Sequence, residues 1–471
     1  MKPTCHLFGQ NSRKALGDPH LQEALRSVDE RLRTMRDAAF RELPNAEALR
    51  EQGRRIRDRA LAGLDVLLEQ LEENVTRLGG TVHWAADAAA ARKVVEDLAV
   101  SRGVRTVVKG KSMVCEEIAL NQGLEARGLD VVETDLGEYI IQLAHEPPSH
   151  LVGPAIHKTK GQIAELFRDC LGAPLMDDSE EMTRFARRIL RERFLSADMG
   201  ITGANFLVAA TGAVVLLENE GNIRLSTTLP RIHVAVTGIE KVVPTWEDLC
   251  VLLQLLPRSA TGQKLSSYVS VLLGPRRANE PDGVDEFHLV LLDNGRTRIL
   301  ADEALRETLR CIRCGACLNT CPVYLKVGGH AYGWVYSGPI GSILTPQLLQ
   351  DRRTASALPF ASTLCGACAE VCPVKIDIPR ILTELRRRYA VDPAWGPAPL
   401  PERAFARMAG TVMADRRLYE GASRTARCAL PLLESGPPLL KRALATFPPP
   451  AEEPFRRTVS KSPRKAEDPH E

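Results

Sequence analysis

The sequence predicts an α/β domain built on a parallel sheet, preceded by helices and followed by a small domain organised around cysteines. Three observations predict it. Apolar residues recur at spacings of three and four up to residue 78, strand and helix patterns alternate from residue 81, and seven of the twelve cysteines fall within 311–372. A chain of 471 residues has room for about three domains at roughly 150 residues each. Hydrophobic content of 44% and charged content of 26% are those of an ordinary globular protein. Lys and Arg number 62 against 59 Asp and Glu, a net +3, which gives no general field for nucleic acid or a membrane.

The N-terminal segment is expected over 1–78. Asp18-Pro19 reads as a cap followed by Pro at the first helical position. Leu21, Leu25, Val28, Leu32 and Met35 then form one stripe. After Pro44, a second long helix is expected to carry Ile56, Ala60, Leu64, Leu67, Leu71 and Val75 until Gly79-Gly80. No apolar h-region opens the chain, and the run "FLVAATGAVVLL" at 206–217 is far shorter than the roughly 20 residues a spanning helix needs, so a cytoplasmic protein without a transmembrane segment is expected.

The α/β domain is expected over 79–300. "TVHWA", "VRTVVKG" and "LDVVETD" read as strands separated by helical patterns, the signature of βαβ units. Helices are expected near 158–171 and 179–195. "NFLVAA", "GAVVLLEN", "IRLSTTL" and "RIHVAVTG" read as adjacent strands, antiparallel to one another, extending the same sheet. "TWEDLCVLLQLLPRSA" reads as a helix ended by Pro257, and "FHLVLLDNGRTRIL" as a hairpin turning at Asn294-Gly295. The cysteine domain is expected over 301–388, a helical segment over 389–447 and a disordered tail over 448–471.

The run "CIRCGACLNTCP" at 311–322 has the spacing C-x2-C-x2-C-x3-C-P. Thiolates at i, i+3 and i+6 on a tight loop converge on one face, suited to three corners of an iron–sulfur cube, and the fourth cysteine of such a run ligates the other cluster of a pair. Zinc also takes C-x2-C pairs, but two Cys-Pro endings and a second run favour iron–sulfur. The second run, "STLCGACAEVCP" at 362–373, has Ser362 where the first has Cys311. Ligand exchange then assigns Cys311, Cys314, Cys317 and Cys372 to a first, [4Fe–4S] cluster. Cys321, Cys365 and Cys368 go to a second. That second cluster is either [3Fe–4S] or [4Fe–4S] with an open or non-cysteine corner, for which Ser362 oxygen, water, another side chain or Cys428 are candidates. The glycine-rich 327–346 stretch reads as a loop packing aromatics over the clusters, and His330 as a packing or surface histidine rather than a ligand.

Other motifs carry less. "VVKGKS" at 107–112 fails as a phosphate loop because Arg105 stands where G-x4-G-K-[ST] needs Gly. "HKTKGQ" at 157–162 reads as an ordinary turn. No Gly-x-Gly-x-x-Gly follows a strand, so no flavin or nicotinamide fingerprint is present, and no nucleophile–base set stands out.

The blocks "VETDLGEYIIQLAHEPPSHLVGPAIHKT" (132–159), "TGANFLVAATGAVVLLENEGNIRLSTTLPRIHVAVTGIEKVVPT" (202–245), "GGHAYGWVYSGPIGSILTP" (328–346) and "LPFASTLCGACAEVCPVKIDIP" (358–379) resemble the iron–sulfur lactate-utilization protein B family. The cysteine region also resembles the α-helical ferredoxin domain of succinate-dehydrogenase-type iron–sulfur subunits, whose second run likewise supplies three cysteines. The resemblance implies that 79–300 is a lactate-utilization (LUD) domain, related to sugar-phosphate isomerases and coenzyme A transferases, with a C-terminal α-helical ferredoxin-type domain. It implies an electron-transfer subunit of an L-lactate dehydrogenase-type complex that makes pyruvate. Its partners would be a cysteine-rich iron–sulfur protein and a small LUD protein, with no nucleic acid and with room for peripheral membrane association. Family members usually carry Glu-Thr-Gly where this chain has Ala210-Thr211-Gly212, which removes an acid–base role there, and they share a Ser near 362. The alternatives are a catalytic subunit binding a hydroxy acid at the LUD domain or at the open iron of the second cluster, and a scaffold or redox sensor.

Overall fold

The computed structural model describes residues 2–396 and 400–434 and, within them, all side chains but those of 27–30, 400–403 and 427–434. Residues up to Tyr389 form one compact unit and those from Ala390 a second. The helices before the sheet are Phe8–Leu16, Pro19–Arg41, Ala46–Ala62 and Leu64–Arg77. Asp18 accepts from the N–H groups of His20 and Leu21 at 3.0 and 3.1 Å, which fixes the start of the second. The single helix expected from Ile56 to Val75 is two, because Gly63 interrupts it.

Among the described residues ten strands follow: β1 Thr81–Ala85, β2 Thr106–Lys109, β3 Asp130–Glu133, β4 Met199–Thr202, β5 Phe206–Val208, β6 Ala213–Glu218, β7 Ile232–Gly238, β8 Val242–Val243, β9 Tyr268–Leu272 and β10 Glu286–Leu292. Six of them make a parallel sheet in the order β1-β10-β7-β4-β2-β3, with Val234 opposite both Ile201 and His288. Every residue of β7 is buried, as expected of a central parallel strand covered on both faces. Ile201, Val234 and Val290 point into one apolar layer; Ala235, Leu289 and Leu291 point into the other.

The strands expected at 204–240 divide differently. β5, β6, β8 and β9 form a second sheet in the order β8-β5-β6-β9, and only β7 joins the parallel one. "IRLSTTL" lies in the helix Asn222–Thr228, not in a strand. The Glu218 carboxylate accepts from the N–H groups of Ile223 and Arg224 at 2.6 and 2.9 Å, holding the first turn. The expected hairpin at Asn294-Gly295 is a strand-to-helix turn into Arg296–Ala301, because Asp293 accepts from the N–H groups of Gly295 and Thr297 at 3.0 and 2.7 Å. Pro257 lies inside the helix Trp246–Thr261, which ends at Gly262 in a left-handed conformation (φ +74°) that a side chain would strain.

The cysteine region packs into the same unit as the sheet. Its glycine-rich stretch is not simply a loop: Gly338–Leu348 is a helix buried on every face. Arg57 connects the segments. Its guanidinium donates to the carbonyls of Val242 (2.9 Å), Leu309 (3.1 Å), Arg310 (3.3 Å) and Glu240, and burial pushes its pKa down to about 10. The second unit contains helices Leu400–Ala414 and Arg416–Glu434. The tail expected to be disordered lies outside the described residues. No described helix is long and apolar enough to cross a membrane.

Candidate functional site

The two cysteine runs repeat one backbone conformation. Arg313 (φ +62°) and Gly315 (φ +76°) are left-handed in the first, and Leu364 (φ +55°) and Gly366 (φ +89°) occupy the aligned positions in the second. A short helix follows each pair, Ala316–Asn319 and Ala367–Glu370. The hydrogen bonds repeat as well. Arg313 N–H donates to Cys311 Sγ at 3.4 Å, and Leu364 N–H donates to Ser362 Oγ at 3.1 Å. Ser362 therefore stands in the structural position of Cys311.

Cys311, Cys314, Cys317 and Cys372 line one cavity, with Ile312, Ala316, Ile340, Val374, Ile376 and Ile378 as its apolar walls. Backbone N–H groups point at the sulfurs: Ala316 at Cys314, Ile340 at Cys317, and Ile376 at Cys372, the last at 3.3 Å. Burial pushes the Cys372 thiol up to about 11 and those of Cys314 and Cys317 further. Four sulfurs converging in an apolar pocket are disfavoured as bare thiolates, and a cationic metal core removes that penalty. Arg313 Nη1 is buried beside Cys311 with no hydrogen-bond partner among the described residues, a donor still available to an anionic group there. These residues fit an iron–sulfur cluster.

Cys321, Cys365 and Cys368 form the second set. Burial, then Cys321 and Cys365, push the Cys368 thiol up to about 12. Cys365 is exposed and held below the usual thiol value by Ala367 N–H and the Thr363 hydroxyl. The two sets adjoin, since Cys368 also raises Cys317.

Residues 68–292 match the family model described as "LUD domain", and residues 307–376 match "4Fe-4S dicluster domain". A protein named "Lactate utilization protein B" from Bacillus thuringiensis (strain Al Hakam) is 45% identical over 464 residues, 97% of each chain. One of the same name from Shouchella clausii (strain KSM-K16) is 49% identical over 384 residues, covering 81% of this chain and 80% of that one. The chain belongs to the lactate utilization protein B family. A crystal structure of a DUF162 family protein from Deinococcus radiodurans covers 49% of this chain and 98% of that one at 13% identity and TM-score 0.29, too weak a likeness to build on.

In this member of the lactate utilization protein B family, a buried charge network joins the LUD domain to the first cysteine loop. Arg296 makes a two-pronged pair with Glu117 (3.0 and 2.9 Å) and donates to Glu240 at 2.6 Å. Glu240 also accepts from Arg313 Nη2 at 3.2 Å, and Tyr336 donates to Glu117 at 2.6 Å. Burial alone would raise Glu240, but Arg296, Arg313 and Lys241 hold it at about 2. Burial and Arg313 push Lys241 down to about 7. Sequence patterns missed this network because its members lie up to 219 residues apart. The only local hint was charge inside apolar runs.

The remaining candidates are engaged elsewhere. Lys109 of "VVKGKS" is fully buried between Glu133 and Glu116 at 2.7 and 3.0 Å. Lys111 donates to Val152 O at 2.5 Å. His330 donates to Pro147 O at 2.7 Å and meets His157 edge-on. Glu146, His157 and His330 bring ligand-type atoms within 4.8 Å, but Glu146 is already paired with His157 and Lys158. Ala210 contributes only its N–H, to Pro244 O at 3.1 Å. Cys5 and Cys115 are buried thiols, Cys170 and Cys250 exposed ones, and the Cys428 side chain is outside those described.

Proposed function

We propose that this chain is an iron–sulfur electron-transfer component of a cytoplasmic L-lactate oxidation system, in which lactate becomes pyruvate. The observation that carries the reading is the meeting of Cys311, Cys314 and Cys317 with Cys372 of the other run around one apolar cavity. On this reading those four hold a [4Fe–4S] cluster, and Cys321, Cys365 and Cys368 hold a second that is [3Fe–4S] or has a non-cysteine corner. Clusters so held supply one-electron storage at adjoining sites. The chain's own contribution is N–H donors at the sulfurs and cations at Arg57 and Arg313, which favour the more negative, reduced state. The partners are a cysteine-rich iron–sulfur protein and a small LUD-domain protein of the same system. Anaerobic reconstitution followed by iron counting tests the pair, and fewer than about six irons per chain would sink it. A second reading, in which the LUD domain binds the hydroxy acid itself, is favoured by the cavity described next. Turnover of L-lactate with a dye acceptor by the isolated chain separates a catalyst from a carrier.

A further inference from the structure

A cavity of about 510 Å³ lies at the carboxyl ends of the parallel strands. Lys111 and Ser112 follow β2, Asp135 follows β3, Asn205 follows β4 and Lys241 follows β7, and all line it. That edge of an open parallel sheet is where ligands bind in α/β folds. The same cavity reaches Cys314, which also lines the four-cysteine pocket, so one sulfur stands at both.

Its lining carries both signs, with Arg31, Lys111, Lys241 and Arg313 beside Asp135, Glu218 and Glu220. Lys241 is 6% exposed, and no group among the described residues hydrogen-bonds its ammonium; Glu240 and Cys311 act on it only at longer range. Its neighbour Glu240 is already taken by Arg296 and Arg313. A buried ammonium is costly without a counter-charge. Among the acids of the lining, burial, then Asp135, push Glu220 up to about 7, and Lys111 opposes that shift. The cavity therefore suits a small polar molecule that carries an anionic group.

We propose that this cavity binds a small 2-hydroxy or 2-oxo monocarboxylate, its carboxylate on Lys241, beside the centre at Cys314. The inference rests on the lactate reading above and names the site within it.

The test is equilibrium binding of L-lactate and pyruvate to the anaerobically reconstituted full chain, with inorganic phosphate and coenzyme A as competing probes. Iron content and the EPR spectrum are recorded alongside. The parent protein should bind L-lactate or pyruvate in preference to both phosphate probes. Lys241→Met should weaken that binding at least tenfold with iron content unchanged, and Lys241→Arg should restore most of it. Ala204→Leu, at the end of β4, should block binding by filling space, again with iron retained. Failure of the parent to bind either acid, parent-like binding in both Lys241→Met and Ala204→Leu, or tighter binding of phosphate or coenzyme A overturns the proposal. Loss of iron from Lys241→Met overturns its assignment as the ligand's counter-charge and makes it the centre's. Clusters that cycle with reductant while no acid binds would leave electron transfer standing and remove this site alone.

Discussion

Replacing Arg57 with Met removes a side chain that ties a helix of the N-terminal segment to both the LUD domain and the first cysteine loop. Its guanidinium serves four carbonyls, those of Glu240 and Val242 after β7 and those of Leu309 and Arg310 before Cys311. Methionine refills much of the volume, so the loss is chiefly polar. A hydrogen bond from a charged donor is worth roughly 1.5–3 kcal/mol. Breaking one side of a buried charged arrangement costs about 3–5 kcal/mol. The lower part of that range applies, since backbone carbonyls keep a second lone pair for other partners, giving about 3–4 kcal/mol. At roughly 2–3 °C per kcal/mol for a large domain, the melting midpoint should fall by about 6–12 °C. The assay is thermal unfolding followed together by far-UV circular dichroism and visible cluster absorbance. Both signals should shift together, because the lost contacts end one residue before Cys311. Arg57→Lys keeps the charge but offers a point instead of a fork and should fall between. A midpoint within about 2 °C of the parent would refute the idea that Arg57 holds the segments together.

Ser362→Cys should complete the second ligand set, because Ser362 already takes the Cys311 position and its N–H bond. If the parent carries a three-iron centre there, iron content rises by about one per chain and the oxidised three-iron EPR signal disappears. Arg313→Met removes a unit charge beside Cys311. At a separation of ~7 Å and an effective dielectric of ~20 this is worth roughly 2.4 kcal/mol, so the first centre's midpoint should drop by about 100 mV in a redox titration followed by EPR. His233 is buried on β7 and bonds Thr202 at 2.8 Å. Burial, then His288, push its pKa down to about 3. A folded pKa below the unfolded value of about 6.5 means stability is full above pH 6.5 and is lost as pH falls toward 3. The expected loss at pH 5 is about 2 kcal/mol, and His233→Gln should flatten that part of the pH–stability curve measured by urea unfolding.

Local signals were legible and distant ones were not. Strands β1, β2 and β3 showed as apolar runs between helical patterns. The cysteine runs showed because their ligands sit three residues apart, and aligning them exposed the Ser362 substitution. "IRLSTTL" and the turn after Asp293 misled because a single carboxylate, Glu218 or Asp293, caps a helix whose residue types also suit a strand. The second sheet was legible only in part: β5 and β6 are neighbouring antiparallel strands, but β5 also pairs with β8 35 residues away, and no local pattern records that pairing. The Glu117–Arg296–Glu240–Arg313 network was hidden for the same reason. An isolated Arg or Glu in a sequence looks like surface, and only the fold shows it buried and paired.

The central claim is that each run lends its last cysteine to the other's cluster, and iron counting on two variants tests it most directly. Under exchange, Cys321→Ser leaves the second centre two thiolates and should cost about three to four irons per chain, whereas Cys372→Ser leaves the first centre three and should cost at most about one. If each run kept its own cysteines, Cys372 would sit with Cys365 and Cys368. The larger loss would then follow Cys372→Ser and the smaller Cys321→Ser, and that reversed pattern would contradict the account.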